Sequence, residues 1–168
     1  MLTMNLFHDR TSAAPSMSAP NPCPCGSNKL YTECCEPYHT GVAVAPTAEA
    51  LMRSRYSAFC KRDIDYIVRT RHASTRKNDD RRSLRQTFNL THWIGLTILK
   101  TQKGQPKDKK GVVEYVAECR DTQAQGFNVE VKQLHEKSRF VKEDDQWFYV
   151  GGELLPPVKL PGKKAPKK

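Results

Sequence analysis

Long apolar runs are absent from this chain of 168 residues. A helix that spans a bilayer needs roughly 20 consecutive apolar residues, and no segment approaches that length. The start of the chain, MLTMNLFHDRTSAAPSMSAP, also lacks the continuous apolar segment of a secretory signal. The sequence therefore predicts a cytoplasmic protein that does not insert into a membrane.

Acidic residues are scarce relative to basic ones, with 18 Asp and Glu against 28 Lys and Arg and a formal net charge of +10. The excess is concentrated in residues 76–85, in residues 107–110 and in KKAPKK at residues 163–168. A basic surface of this kind can bind RNA, a ribosome or acidic lipid. Solvated loops and tails often carry similar charge without any partner, so nucleic-acid binding stays one alternative among several.

The length suits one globular domain with a small appendage. Residues 1–21, rich in Ser, Ala and Pro, predict a disordered leader. Residues 22–37 hold a cluster of cysteines and are called the cysteine module below. Residues 38–152 carry regular apolar patterning and predict the main domain, while residues 153–168 predict a basic tail rich in Pro and Lys.

Helical patterning occupies the first half of the main domain. Thr47 precedes an apolar stripe that predicts a capped helix to about Arg62, Asp63 can cap a second helix, and a third is predicted over residues 81–88. From His92 the period changes to two. Four strands are therefore predicted, over residues 93–100, 111–120, 127–142 and 146–150, with a hairpin turn at KEDDQ. The sum is an α+β fold in which helices pack against one face of a mostly antiparallel four-stranded sheet.

Four of the six cysteines lie within 13 residues, in the order C-x-C, eight residues, C-C. Thiolates are typical ligands of tetrahedral zinc, and Gly26 and Ser27 permit the turn that brings the sulfurs together. A site with four protein ligands leaves no position for a substrate, so its metal is structural. We therefore predict a structural zinc site formed by Cys23, Cys25, Cys34 and Cys35.

Three alternatives to ligation of zinc by four cysteines remain open. The cysteines could form disulfides, although a reducing cytoplasm disfavours them. They could hold an iron–sulfur cluster, although their spacing matches neither common ferredoxin pattern. His39, which follows Cys35 by four residues, could replace one thiolate. The remaining cysteines, Cys60 and Cys119, are expected to be small buried hydrophobic residues and not nucleophiles.

The segment CPCGSNKLYTECC resembles the SEC-C motif, a short zinc module named for the C-terminal tail of the SecA translocase, and all four ligand positions match. Asn28 stands where the motif commonly has glycine, and asparagine tolerates a positive backbone φ. The agreement continues through CCEPY, VAPTAEALMRSRYSAFCKRDIDYIVRTRH, HWIGL and EKSRFVKEDDQWFYVGG. From residue 22 to about residue 152 the chain is identified as a member of the YchJ family of uncharacterised bacterial proteins.

This resemblance implies a SEC-C zinc module followed by a nuclear transport factor 2-like domain, in which a curved antiparallel sheet wraps around helices to form a cone. It implies no particular reaction. Many chains of the family end in a second SEC-C motif, whereas this one has no cysteine after Cys119. A role that needs paired zinc modules is therefore not expected. Residues 38–152 are called the cone domain below.

A cone of this kind encloses a pocket in many relatives, where it serves catalysis in some and binding in others. Neighbouring residues of a strand point to opposite faces, so His135 and Glu136 cannot form a dyad, and His135 is expected to meet His72 or Arg55 instead. Core packing explains the aromatic candidates more simply, and no residue is assigned a catalytic role. The candidates to line the pocket are Arg53, Arg55, Tyr56, His72, Trp93, His135, Glu136 and Trp147.

Three functional hypotheses follow. The favoured one is an adaptor whose zinc module docks onto a protein or a ribosome, with Lys29 and Tyr31 exposed at the contact. The second is a cone that binds, or acts on, a small ligand. The third is an RNA-binding protein whose affinity falls steeply with salt. The sequence gives no decisive ground for choosing among them, and it does not predict an oligomeric state.

Overall fold

A computed structural model describes residues 21–123 and 130–160. Most of the predicted leader, the end of the predicted tail and the first residues of the strand predicted over residues 127–142 lie outside the described residues. Within the described part of the chain, no helix has the length and apolar character needed to cross a bilayer.

The cysteine module is a small hairpin followed by a helical turn. Pro22 forms an isolated antiparallel bridge with Leu30, and the Cys23 amide donates to the Lys29 carbonyl at 2.8 Å. Gly26 and Asn28 adopt positive φ values of 73° and 61°, which tighten the loop between them. Asn28 therefore takes the backbone conformation expected of the glycine that it replaces. A 3-10 turn, Tyr31–Glu33, and the short helix α1, Glu36–His39, complete the return of the chain.

Three longer helices follow, and two of them have the predicted caps. Helix α2 spans Ala48–Lys61, and the Thr47 side chain accepts a hydrogen bond from the Ala50 amide. Helix α3 spans Ile64–Arg69, and the Asp63 side chain accepts one from the Tyr66 amide. Helix α4 spans Asp80–Leu90. The connection between α1 and α2 is exposed, with Val42 and Val44 presenting 84% and 56% of their surfaces to solvent.

The second half of the cone domain is one antiparallel sheet of four strands in sequence order. The predicted four-stranded α+β fold is confirmed, although each end strand is longer than predicted. Asp144 and Asp145, the centre of the predicted hairpin turn, both adopt positive φ, as a two-residue turn that matches the twist of its strands requires. The strands are β1, Thr91–Lys103, β2, Lys110–Asp121, β3, Lys132–Glu143, and β4, Gln146–Leu155.

Irregular pairing bends this sheet. The register shifts twice between β1 and β2 and once between β3 and β4, and bulges of this kind increase local twist and curvature. Helix α2 packs onto the bent sheet, so that Leu51 joins a core with Val113 and Phe140, each at most 2% exposed. A parallel bridge between Arg71 and Tyr149 ties the chain after α3 to β4. Helices and sheet thereby enclose a space beside this core.

Candidate metal centre and cavity

The four sulfurs of the cysteine module converge. The Sγ atoms of Cys23, Cys25, Cys34 and Cys35 all lie within 4.8 Å of one another, and Cys34 Sγ lies 3.6 Å from that of Cys25 and 3.8 Å from that of Cys35. A zinc ion with Zn–S bonds of about 2.3 Å would place tetrahedral sulfurs about 3.8 Å apart. All six cysteines of the chain are free thiols. The spacing and the donor type therefore fit a metal site and not a disulfide.

The electrostatics of the cluster also favour a cation. Hydrogen bonds from Cys23 and Cys35 hold the pKa of the Cys25 thiol far below its usual range. Hydrogen bonding to Cys25 raises the pKa of Cys23 to about 11, and contacts with Cys23 and Cys25 raise that of Cys35 further. Negative charge is thus shared unequally among sulfurs that repel one another when ionised. A divalent cation among them would allow all four to ionise.

Helix α2 supports the metal site from outside. Arg53 Nη1 donates to the Cys25 carbonyl at 3.0 Å while its Nε donates to Glu49 at 2.8 Å, and Ser57 Oγ lies 3.9 Å from Cys23 Sγ. Within the module, Ser27 Oγ lies 3.2 Å from Cys34 Sγ. Such partners orient metal ligands in proteins. Arg53 therefore braces the module and does not line the pocket for which it was also predicted.

His39 is committed to other contacts and does not join the cysteine cluster. Its Nε2 donates to the Ser54 carbonyl at 2.8 Å, and its Nδ1 accepts from the Tyr31 hydroxyl at 2.8 Å. Burial lowers the pKa of His39 and so favours the neutral imidazole, in which Nε2 carries the proton and Nδ1 accepts. Tyr31, Ser54 and His39 thus form a joint between the module and α2.

This joint changes the docking hypothesis. Tyr31 is half-buried, and Lys61 Nζ lies 3.8 Å above its ring, so Tyr31 is not the exposed contact residue that was predicted. Lys29 is exposed, as predicted. Of the two residues proposed for docking, Lys29 is exposed, whereas Tyr31 is partly covered by its contacts with Lys61 and His39.

A cavity of about 520 Å³ lies between helices α2 to α4 and strands β1 to β4. Four of the eight predicted pocket residues line it: Arg55 and Tyr56 from α2, Trp93 from β1 and Glu136 from β3. Apolar side chains form most of its wall, among them Phe59, Leu84 and Leu134. The cavity is therefore a mainly apolar chamber with few polar groups, as small-molecule sites commonly are.

The other predicted pocket residues lie away from this cavity. Arg53 contacts the cysteine module, and buried Trp147 donates from Nε1 to the Pro46 carbonyl at 3.2 Å. His72 pairs with Glu143 at 3.0 Å, and His135 contacts Glu114 and the Pro156 carbonyl. The expected meeting of His135 with His72 or Arg55 is wrong. Because Glu136 lines the cavity, strand alternation turns His135 to the opposite face.

Several residues that line the cavity were not predicted from the sequence. Tyr115 and Ala117 alternate with outward residues on β2, and that period was a signal for them. Arg71 and Asp80 come from the connection after α3 and the start of α4, where no periodicity marks a face. Cys119 also lines the cavity, and burial raises its pKa, as burial raises that of Cys60 to about 11. Both thiols are thereby disfavoured as nucleophiles.

The polar groups of the cavity form a chain through one tyrosine. The Arg55 guanidinium lies 4.7 Å from the centre of the Tyr149 ring, and the Tyr149 hydroxyl donates to Glu136 at 3.1 Å. Burial and the Glu136 carboxylate raise the pKa of Tyr149 to about 12. Ser138 also donates to Glu136. The two hydroxyl groups therefore donate to the same oxygen, Oε1, of the Glu136 carboxylate.

Comparison with known proteins agrees with this geometry. Residues 47–152 match the family model described as the middle NTF2-like domain of YchJ, and residues 20–37 match the SEC-C motif. A UPF0225 protein from Geobacter sulfurreducens is 42% identical over 137 residues, covering 82% of this chain and 81% of the relative. A UPF0225 protein from Photorhabdus laumondii is 38% identical over 130 residues, covering 77% of this chain and 79% of the relative.

Two solved structures share the architecture. A SEC-C motif containing protein from Rhodopseudomonas palustris, solved in solution, superposes with a TM-score of 0.69 at 33% identity and covers 80% of this chain and 99% of its own. A crystal structure of a SEC-C motif containing protein from Psychrobacter arcticus gives a TM-score of 0.62 at 26% identity. The match covers 82% of this chain and 85% of that protein. A module with SEC-C cysteines joined to an α+β domain is thus a recurring arrangement.

Proposed function

Since the chain belongs to the YchJ family, in which an NTF2-like domain is joined to a SEC-C motif, we propose that it is a zinc-stabilised protein that binds a small molecule in its cone domain. The observation that carries the proposal is the cavity of about 520 Å³, which lies within the usual size range of ligand sites. In this proposal the zinc module is structural, and the cavity is the functional site.

Zinc is the metal that suits four cysteine sulfurs at tetrahedral spacing. Cys23, Cys25, Cys34 and Cys35 would hold it, and the ion would cross-link a segment too short to bury a core of its own. Thiolate ligands persist in a reducing compartment, which agrees with the cytoplasmic location predicted from the sequence. The ion would fix the module against α2 and take no part in chemistry.

Metal analysis tests this part of the proposal. We expect protein purified without chelator to carry one zinc ion per chain, with an X-ray absorption spectrum of sulfur neighbours at about 2.3 Å. Iron with inorganic sulfide would identify a cluster instead. Protein that contains neither metal in stoichiometric amount would contradict the assignment.

The chemistry of the cavity favours binding over catalysis. Its walls are mainly apolar, and the two histidines that were candidates for it, His72 and His135, lie elsewhere. Its carboxylates already have partners, since Glu136 accepts from two hydroxyls and Asp80 pairs with Arg71. Groups committed in this way position a ligand more readily than they transfer protons.

A neutral fluorescent probe tests whether the cavity accepts a ligand. We expect N-phenylnaphthylamine to bind with enhanced fluorescence, and Leu84→Trp, which fills part of the cavity from its half-exposed edge, to weaken binding about tenfold or more. Leu90→Trp is the matched control, because Leu90 lies on the same helix, is 46% exposed and does not line the cavity. Equal loss in both variants, or no binding to the unmodified protein, would count against the proposal.

Docking through the zinc module is the second candidate, and exposed Lys29 beside Leu30, which is 39% exposed, supports it. The partner would be a protein or a ribosome, with RNA as the third alternative. We expect Lys29→Glu to reduce cosedimentation with ribosomes if this surface docks, and a steep loss with salt would indicate phosphate contacts. Sedimentation that neither change affects would argue against both alternatives.

A further inference from the structure

Arg55 is a buried cation that makes no salt bridge within residues 21–123 and 130–160. It is 6% exposed and lines the cavity. Its Nη1 donates to the Ile67 carbonyl at 2.7 Å and to the Thr70 hydroxyl at 2.6 Å, at the C-terminal end of α3. No salt bridge joins it to a carboxylate in the described part of the chain, and both of its hydrogen bonds there come from Nη1. Its Nε and Nη2 are not among the fully buried atoms that lack a partner, so the guanidinium keeps donors that the described residues do not use and that are not completely covered.

The charged side chains that line the cavity can be counted, together with their salt-bridge partners. Its lining carries three cations, Arg55, Arg71 and Lys132, against two carboxylates, Asp80 and Glu136. Asp80 is paired with Arg71 at 3.5 Å, and Lys132 lies 3.8 Å from Asp121. Arg71 also lies 5.9 Å from the centre of the Tyr149 ring on which Arg55 stacks. Arg55 and Glu136 are therefore the two charged lining residues that make no salt bridge in the described part of the chain, and of these only Glu136 has hydroxyl donors beside it.

Trp93 supplies a second unused donor. Its indole Nε1 is buried and is the one buried side-chain nitrogen or oxygen without a hydrogen-bond partner in residues 21–123 and 130–160. Leaving such a donor unpaired costs about 1–3 kcal/mol in a folded protein. Trp93 lines the same cavity as Arg55, but its Nε1 is covered by surrounding atoms, so an acceptor on a bound molecule could reach it only after the indole moves.

We propose that the cavity binds a small organic anion, whose negative head pairs with Arg55 and whose apolar body lies against Phe59, Leu84 and Leu134. This inference rests on the proposed function, because it names the class of ligand for the same cavity. A cationic ligand fits less well, since it would lie in the same cavity as the buried Arg55 guanidinium, which has no salt bridge in the described part of the chain. A charge-assisted bond to a buried guanidinium is among the stronger contacts available to a ligand.

Two probes that differ in one charged group test the inference. Anilinonaphthalene sulfonate carries a sulfonate that N-phenylnaphthylamine lacks. We expect the unmodified protein to bind the anion at least about tenfold more tightly than the neutral parent, the ratio that one charge-assisted hydrogen bond supplies. Arg55→Met should reduce affinity for the anion about tenfold or more and change affinity for the neutral probe less than about twofold.

Arg69→Met is the matched control. Arg69 also lies 4.7 Å from the centre of a tyrosine ring, that of Tyr66, and donates to backbone carbonyls, but it is exposed and does not line the cavity. It should leave both affinities unchanged. Equal affinity of the unmodified protein for both probes would overturn the anion inference while leaving the proposed cavity site intact. Binding of neither probe would contradict the proposed function itself. If Arg55→Met does not fold, the ratio of the affinities of the unmodified protein for the two probes tests the inference by itself.

Discussion

The most deeply buried side chains of the cysteine module are three of its cysteines, whereas the largest side chains buried to the same degree in the cone domain are aliphatic and aromatic. Cys23, Cys25 and Cys35 are at most 4% exposed, and so are Leu51 and Phe140 in the cone domain. If the proposed metal is bound, the module gains its shape from bonds to that ion, while the cone domain gains its shape from apolar burial. Stability of the two regions should therefore respond to different perturbations.

The largest expected effect is a packing change in the cone domain. Phe140 is 1% exposed and packs edge-on against Tyr149, with ring centres 5.8 Å apart. Phe140→Ala should lower the free energy of unfolding by about 3–5 kcal/mol, because it leaves a cavity in the core. Denaturant unfolding followed by circular dichroism measures this, and zinc content per folded chain should not change. A loss below about 1 kcal/mol would show that this core is not the source of stability.

An intermediate effect is expected from removing one metal ligand. Cys34→Ser should release the metal and expose the backbone amides of residues 22–37 to hydrogen exchange, while strands β2 and β3 keep their protection. Cys119→Ser is the control, because Cys119 lies outside the sulfur cluster and should leave metal content unchanged. Loss of protection throughout the sheet would mean that the two regions unfold as one unit.

The smallest effect tests the joint between the regions. The folded pKa of His39 is lowered, so as the pH falls below about 6.5 this residue takes up a proton more readily in unfolded chains than in folded ones. The contribution of neutral His39 is therefore complete above that pH and decreases below it. Between about pH 7.5 and about pH 5.5, His39→Gln should lose about 1 kcal/mol less stability than the unmodified protein does. Thermal unfolding in excess zinc measures both slopes, and identical slopes would exclude His39 as the titrating group.

The secondary structure was largely predictable because its signals are local. Thr47 and Asp63 cap helices as predicted, and the change of period at His92 lies one residue from the start of β1. The cysteine site was predictable for a similar reason, since its four sulfurs come from 13 adjacent residues. Local spacing alone limits how such ligands can be arranged.

Only four of the eight residues predicted for the pocket line the cavity, because its lining is assembled from distant segments. Alternation along β3 showed that His135 and Glu136 face opposite ways, but it could not show which of them faces the helices. Only the packed fold shows that Glu136 does, and that Arg53 and Arg55, two residues apart on α2, reach different sites. The period of the sequence shows which residues share a face of a strand or helix, whereas the residues that each face contacts depend on tertiary packing.

The exposed segment between α1 and α2 carries a practical consequence. The module is attached to the rest of the molecule by more than this connection, through Arg53 to Cys25, His39 to Ser54, and Arg69 to the carbonyls of Tyr38 and His39. Proteolytic cleavage beside Val42 would therefore yield two polypeptides that remain associated until the metal is withdrawn. Limited digestion followed by native mass spectrometry would detect the associated pair. The cleaved protein could then be used to exchange cysteine modules between relatives.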